Sequence, residues 1–192
     1  MTLDANEDFV DLARCLLAAK CEFVIVGAYA LAAHGVVRAT SDLDVLVRPS
    51  RRNAARVIEA LRAFGAPLSV HGVTAADFEV PGNVYQMGLP PRRIDILTNL
   101  SGVTYAAAVA HEVVGRLADL EVPCIGRAAL LRNKRAAGRP KGLGRRRGAR
   151  GERAGSDRQV EREVESSSAA AALAPLTGRR GARAPAWSPP PR

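Results

Sequence analysis

Residues 38–47 read RATSDLDVLV and set two carboxylates into the apolar run that ends at residue 47, and this stretch decides how the chain folds. The run predicts a β-strand, and successive side chains of a strand point to opposite faces of its sheet. Asp42 and Asp44 therefore share one face, while Leu43 and Val45 lie on the other. Two carboxylates side by side repel each other unless a divalent cation or a strong donor lies between them. The stretch predicts a strand with a magnesium site on one face.

A second acidic strand follows further along the chain. Residues 93–97 read RIDIL and set Asp95 into another apolar run. Three carboxylates on neighbouring strands are able to hold two magnesium ions about 3.5 to 4 Å apart, which stabilises the attacking and leaving oxygens of phosphoryl or nucleotidyl transfer. We therefore expect Asp42, Asp44 and Asp95 to form one metal site.

A glycine turn precedes both acidic strands. Residues 23–26 (FVIV) predict a buried strand that ends at Gly27, and residues 28–34 (AYALAAH) predict a short helix directly after it. Glycine lets a ligand approach the backbone closely, and the start of a helix offers free N–H groups and the positive end of its dipole. The turn therefore predicts a phosphate site.

The order of these motifs resembles that of the nucleotidyltransferase superfamily. In that superfamily Gly-Ser or Gly-Gly precedes Asp-x-Asp and a later third acid. The matching segments here are Val-Gly-Ala at residues 26–28, Asp-Leu-Asp-Val at 42–45 and Ile-Asp-Ile at 94–96. The resemblance implies a polymerase-beta-like fold and the transfer of a nucleoside monophosphate from a nucleoside triphosphate to a hydroxyl group.

A narrower resemblance, to minimal AbiEii-like bacterial nucleotidyltransferases, rests on Arg38, Thr40 and residues 131–141 (LRNKRAAGRPK). Together the similar segments span residues 5–141. This resemblance implies that the acceptor hydroxyl belongs to RNA, such as the 3′ end of a tRNA, or to a protein. It also implies a toxin–antitoxin or phage-defence setting, without settling which side of such a system the protein is on.

The resemblance further implies a role for each matching residue. The catalytic acids, which would also be the ligands of two Mg²⁺ ions, are Asp42, Asp44 and Asp95. The residues expected to contact the nucleotide are Gly27, Ala28, Arg38, Thr40 and Lys134. Within this scheme Asp95 would also deprotonate or orient the acceptor hydroxyl.

Two departures from the family pattern favour an alternative function. Ala28 stands where the family usually has Ser or Gly, so no hydroxyl is available to a phosphate oxygen. After residue 141 the chain continues with GLGRRR, whereas relatives continue with a helix that contains an Asp. The alternative is a catalytically degenerate domain that binds a nucleotide or a partner protein. Asp-x-Asp also occurs in glycosyl transfer and in phosphatases, although a phosphatase nucleophile follows an apolar strand and residues 38–41 are polar.

Several candidate residues also have a purely structural explanation. Asp42 and Asp44 would lie on the wet face of an edge strand, and Asp95 would pair with Arg92 or Arg93. Arg38 would form a salt bridge with Asp42. The remaining alternatives are that the hydroxyls of residues 40 and 41 orient the acids and that the lysine at position 134 belongs to a solvated helix face.

The composition divides the chain near residue 138. The formal net charge of +9 comes mainly from residues 138–192, which carry +8, whereas residues 1–137 carry +1. In residues 138–192, 36 of 55 residues are Gly, Ala, Arg or Pro, so few large apolar side chains are left to order the segment. We expect a nucleotidyltransferase-like domain at 1–137 and an Arg/Gly/Ala/Pro-rich tail that is disordered, read out of frame or RNA-binding.

The remaining features indicate a cytoplasmic protein with no contact to a membrane. The three cysteines form no Cys-x-x-Cys pair, the N-terminus is acidic, and no run approaches 18 apolar residues. The alternation of helical and strand patterns predicts a small α/β or α+β domain, in which helices cover a mixed sheet. The helices are predicted near residues 4–20, 28–34, 52–64, 104–110 and 127–137, a single helical turn at 74–78, and the strands at 22–26, 42–47, 84–87, 94–98, 113–114 and 122–125.

Overall fold

A computed structural model of the chain describes residues 6–36 and 39–138. The tail, the last part of the segment at 131–141 and Arg38 lie outside the described residues. The elements are α1 (Glu7–Ala18), β1 (Phe23–Ile25), α2 (Gly27–Ala33), β2 (Asp42–Val47), α3 (Arg51–Phe64), a 3₁₀ turn (Ala75–Phe78), β3 (Val84–Met87), β4 (Arg93–Leu97), α4 (Tyr105–Val109), β5 (Val113–Leu117), β6 (Leu120–Cys124) and α5 (Arg127–Gly138).

The six strands form one mixed sheet in the order β3-β4-β2-β1-β6-β5. The pairs β2–β4 and β1–β6 are parallel, and the other three neighbouring pairs are antiparallel. The predicted class, a small α/β domain with a mixed sheet and helices packed on it, is confirmed. The strand predicted at 113–114 is longer than expected, because it pairs with β6 along a hairpin that reaches Leu117.

The helix ends follow local chemistry. Asn6 accepts a hydrogen bond from the backbone N–H of Asp8 and so caps α1, while Ser50 caps α3 by accepting from the N–H of Asn53. Gly65 ends α3 in the left-handed conformation with a φ of 87°. The residues that cap the start of α1 and the end of α3 are of the types that sequence rules for helix ends identify.

The hydrophobic core lies against the face of β2 and β4 opposite the acids. Leu43, Val45 and Val47 of β2 are fully buried, and so are Ile94 and Ile96 of β4. Helices α1 and α3 pack against each other, and α3 also contacts the 3₁₀ turn. Because apolar side chains fill this face, the polar members of both strands are left on the other one.

One buried polar side chain ties the core to the start of the sheet. Asn53 of α3 is completely buried, and its amide oxygen accepts from the N–H of Glu22 while its nitrogen donates to the carbonyls of Glu22 and Arg48. These bonds join the beginning of β1 to the end of β2 through one side chain.

In the described part of the chain, no helix is long and apolar enough to cross a membrane.

Candidate active site

The parallel pairing of β2 and β4 brings the predicted acids together. Asp42 lies opposite Arg93 and Asp44 lies opposite Asp95 in the strand register. Side chains at paired positions of neighbouring strands project from the same side of the sheet. We call the side that carries Asp42, Asp44, Arg93 and Asp95 the acidic face.

Arg93 lies between two of the three acids. Its Nη2 donates to Oδ2 of Asp42 and lies 3.3 Å from Oδ2 of Asp95. Its Nε is buried and has no hydrogen-bond partner. The side chain as a whole is 31% exposed, so it is only partly buried. One cation is thus shared between Asp42 and Asp95.

Neutral side chains occupy the other oxygens of these two acids. The hydroxyl of Thr40 donates to Oδ1 of Asp42 at 2.6 Å, and the amide nitrogen of Gln86 donates to Oδ1 of Asp95 at 2.9 Å. Gln86 is brought there by the antiparallel register of β3 and β4, in which it lies opposite Asp95. Both oxygens of Asp42 and both oxygens of Asp95 are therefore engaged.

Asp44 differs from the other two acids because its carboxylate has no hydrogen bond or ion pair among residues 6–36 and 39–138. Burial raises its pKa to about 6, and the negative charges of Asp42 and Asp95 act in the same direction. The positive charges of Arg93 and Lys134 oppose this shift only in part. Asp44 is thus the one acid of the three whose carboxylate contacts no cation or donor in the described part of the chain.

The glycine turn lies directly against Asp44. Gly27 has a φ of +65°, a conformation that L side chains rarely adopt, and a Cβ at this position would overlap the carboxylate of Asp44. The N–H of Val26 donates to the backbone carbonyl of Asp44 at 2.9 Å. Since α2 begins at Gly27, the N–H groups of Gly27 and Ala28 have no partner within the helix.

Of the remaining predicted residues, Lys134 and Thr40 are described by the structure and Arg38 is not. Lys134 lies in α5, close enough for its charge to act on Asp44. The hydroxyl of Thr40 is bound to Asp42, which corresponds to the alternative in which it orients an acid. Arg38 lies outside the described residues.

Sequence reasoning missed two contacts of the site. The sequence offers Arg93 as an alternative partner of Asp95 but not of Asp42, and it gives no role to Gln86. The available signal was the strand pattern of residues 84–97, because two strands joined by Pro90-Pro91 predict a hairpin. Such a hairpin turns every second side chain of β3 toward the face of Asp95.

Chemically, the donor set fits magnesium, because carboxylate oxygens are the ligands that this ion prefers and the acidic face supplies three carboxylates. Within residues 6–36 and 39–138, however, no three His, Cys, Asp or Glu side chains are arranged as a metal-binding group. The predicted cage of three acids is therefore not formed in this arrangement. Its members share one face, but Arg93 contacts Asp42 and Asp95.

Comparison with solved structures finds similarity to a known protein. No protein-family model matches the chain, and neither does any curated protein. The chain is similar to the antibiotic-resistance factor ANT(2'')-Ia, an aminoglycoside nucleotidyltransferase whose solution structure reveals substrate-regulated conformation dynamics. The two share 18% identity over 88% of this chain and 97% of that one, with a TM-score of 0.41. Similarity at this level assigns neither a family nor an activity to this chain.

Proposed function

We propose that this protein is a metal-dependent nucleotidyltransferase that moves a nucleoside monophosphate from a nucleoside triphosphate to a hydroxyl of RNA or of a protein. The observation that carries the proposal is Asp44, a largely buried and unpartnered acid beside Gly27 that faces two further acids. Clusters of like charge with raised pKa values occur preferentially at functional sites. The order of motifs along the chain supports the same reaction and suggests a cytoplasmic toxin–antitoxin or phage-defence role.

In this proposal the acidic face holds the catalytic ions. Asp42, Asp44 and Asp95 would bind two Mg²⁺ ions, which would neutralise charge on the phosphate oxygens when bound. The backbone N–H groups of Gly27 and Ala28 would donate to the triphosphate, and the charge of the lysine in α5 would add to them. Arg38 and Thr40 are assigned to the same nucleotide site by the family resemblance.

The proposed reaction is an in-line displacement at the α-phosphorus. The acceptor oxygen forms a bond to that phosphorus, and the bond from the phosphorus to the bridging oxygen of the β-phosphate breaks. Pyrophosphate leaves with the electron pair, and the hydroxyl proton passes to a carboxylate, for which Asp95 is the candidate. Asp95 is poised for this step only after Arg93 releases it, because both of its oxygens are engaged.

A specific observation also favours a second function, that of a binding module without turnover. Arg93 neutralises part of the acidic face and Ala28 offers no hydroxyl to a phosphate, as in a domain that has lost catalysis. Such a domain would still bind a nucleotide through the turn at Gly27, or a partner protein. The two functions predict different results in one assay.

The assay is label transfer from nucleoside triphosphates that carry the label on the α-phosphate. The purified chain is incubated with Mg²⁺, each of the four triphosphates in turn, and either total RNA or no RNA. Nucleotidyl transfer places label on RNA, or on protein when RNA is absent, and chelation of the metal abolishes it. Nucleotide binding without any transfer of label would favour the binding module.

Two matched substitutions assign the activity to the acidic face. Asp44→Asn removes the unpartnered charge and is expected to lower transfer by about three orders of magnitude, since ligands of catalytic metals contribute several kcal/mol to the transition state. Asp119→Asn makes the same change at an exposed position in the turn between β5 and β6 and should leave transfer unchanged. Equal activity of both variants would remove Asp44 from the mechanism.

A further inference from the structure

Charges on the acidic face are unevenly matched. Three carboxylates face a single guanidinium group, which contacts Asp42 and Asp95 and leaves Asp44 without a partner. A second positive charge, that of Lys134, acts on Asp44 without forming an ion pair with it. The local charge is negative even with both cations present.

From this arrangement we propose that Arg93 is an internal counter-ion that occupies the position of the divalent metal and must withdraw from the carboxylates when the metal binds. The inference rests on the proposed function, because it assigns Arg93 a role in controlling access to that same site. Arg93 is thus a positioning residue for the acids and a competitor of the metal.

Three features of Arg93 make it displaceable. A guanidinium group has only N–H donors, so it competes with a metal for carboxylates but cannot join a metal as a ligand. Its Nε is buried without a partner, so the bound position leaves one donor unsatisfied. The side chain is 31% exposed, so part of it already contacts solvent.

The carboxylates that Arg93 releases become available to the metal. A divalent ion carries twice the charge of the guanidinium and interacts with Asp44 as well as with the two acids that Arg93 contacts. Removing Arg93 has two opposite consequences. Without metal the three carboxylates repel each other more strongly and the fold loses stability, whereas in the presence of metal the ion binds without a competitor.

Arg92 provides a matched control. It is the neighbouring residue in the chain, but it is 64% exposed and its Nη1 lies 3.4 Å from Asp8 of α1. Arg92 and Asp8 both line a cleft with Ile94, which lies on the side of the sheet opposite Asp95. Arg92→Gln therefore removes the same charge from the same region without touching the acidic face.

The test is a titration of the full chain with Mn²⁺ alone, in which the free ion is followed by electron paramagnetic resonance. We expect Arg93→Gln to bind Mn²⁺ at least about tenfold more tightly than the unsubstituted protein, and Arg92→Gln to bind within about twofold of it. Adding Mn²⁺ should also raise the thermal midpoint more in Arg93→Gln than in either of the other two proteins.

The outcomes separate this inference from the proposed function. If the unsubstituted protein binds Mn²⁺ and Arg93→Gln binds it no more tightly, the role of Arg93 is refuted while the metal site stands. If neither protein binds Mn²⁺, the metal-dependent function itself fails, and the inference fails with it.

A second measurement covers the case in which Arg93→Gln does not fold. The NMR signal of the Nε–Hε group of Arg93 in the unsubstituted protein is followed while Mg²⁺ is added without nucleotide. Withdrawal from Asp42 and Asp95 predicts a shift of this signal that saturates with the ion, while the signal of Arg92 stays in place. A saturating response of the acids with no change at Arg93 would overturn the inference.

Discussion

Two charge clusters lie near opposite ends of β2, and their ratios of acidic to basic side chains are opposite. Beyond the end of the strand, one acid, Glu22, lies among three arginines: Arg48 at 2.6 Å, Arg52 at 3.1 Å and Arg56 at 3.9 Å. At the start of the strand, Arg93 is the only cation among the described residues in contact with the three acids, and it pairs with Asp42 and Asp95 but not with Asp44. The first cluster has an excess of cations and the second has an excess of carboxylates.

The two clusters also affect the proton affinity of their acids in opposite directions. A hydrogen bond from Arg48 lowers the pKa of Glu22, whereas burial and two neighbouring acids raise the pKa of Asp44 to about 6. The cluster around Glu22 is satisfied within the fold and needs nothing further. On the acidic face the carboxylate of Asp44 has no partner among the described residues, and for this reason we propose that function lies there and not at Glu22.

The largest expected effect on stability comes from filling the space beside Asp44. Gly27→Ala forces a side chain into the left-handed region and into the carboxylate of Asp44, and should destabilise the fold by about 3 kcal/mol or more. Gly65→Ala is the matched control, because Gly65 also has a positive φ but a Cβ there would meet nothing within 4 Å, so about 1 kcal/mol is expected.

Urea unfolding of both alanine variants measures the difference. The double variant Gly27→Ala, Asp44→Ala should recover the part of the loss that comes from overlap with the carboxylate. Equal losses at positions 27 and 65 would mean that Asp44 does not pack against the turn, and the proximity of the turn to the acids would have to be abandoned.

The two clusters differ most clearly in the sign of the stability change that is expected when Asp44 or Glu22 is neutralised. Asp44→Asn removes a largely buried, unpartnered charge and should stabilise the metal-free protein at neutral pH by about 1 to 3 kcal/mol. Glu22→Gln removes the centre of a solvent-exposed network and should destabilise it by no more than about 1 kcal/mol. Denaturant midpoints in the presence of a chelator give both values, and stabilisation by both substitutions would contradict the contrast.

The raised pKa of Asp44 also predicts that the stability of the fold depends on pH. Because the pKa of Asp44 rises from 3.8 to about 6 on folding, the folded protein binds more protons than the unfolded chain between these values. Stability contributed by the protonated form is complete below 3.8 and is lost as the pH rises through about 6. The stability difference between Asp44→Asn and the unsubstituted protein should therefore be small in acid and develop across this interval. A difference independent of pH would exclude Asp44 as its source.

How much of this site the sequence could predict depends on the range of the interactions. The strand patterns predict that Asp42 and Asp44 share a face and that Asp95 lies within a strand, because alternation is a local property. The cap at Asn6 and the stop at Gly65 are local as well. These features required no knowledge of which strands are neighbours.

The position of Arg93 could not be predicted in the same way. Its contact with Asp42 depends on the register between β2 and β4, which are separated by α3 and a hairpin and are aligned by core packing on the opposite face. The hydrogen bonds of Asn53 to residues 22 and 48 are likewise long-range. Sequence patterns therefore predicted the acids and offered Arg92 or Arg93 as a partner of Asp95, whereas the contact of Arg93 with Asp42 emerged only from the pairing of strands.

The smallest expected effect concerns Thr40, the neutral donor of the acidic face. Thr40→Val keeps the shape of the side chain and removes the hydrogen bond to Oδ1 of Asp42, at an expected cost of about 1 kcal/mol. Thr40→Ser retains the hydroxyl and serves as the control. Since Asp42 would then depend on Arg93 alone, the two losses should be coupled, and a double-mutant cycle with Arg93→Gln should depart from additivity by about 0.5 kcal/mol or more. Strict additivity would mean that the hydroxyl and the guanidinium hold Asp42 independently, so that withdrawal of Arg93 would leave the acid correctly oriented for a metal.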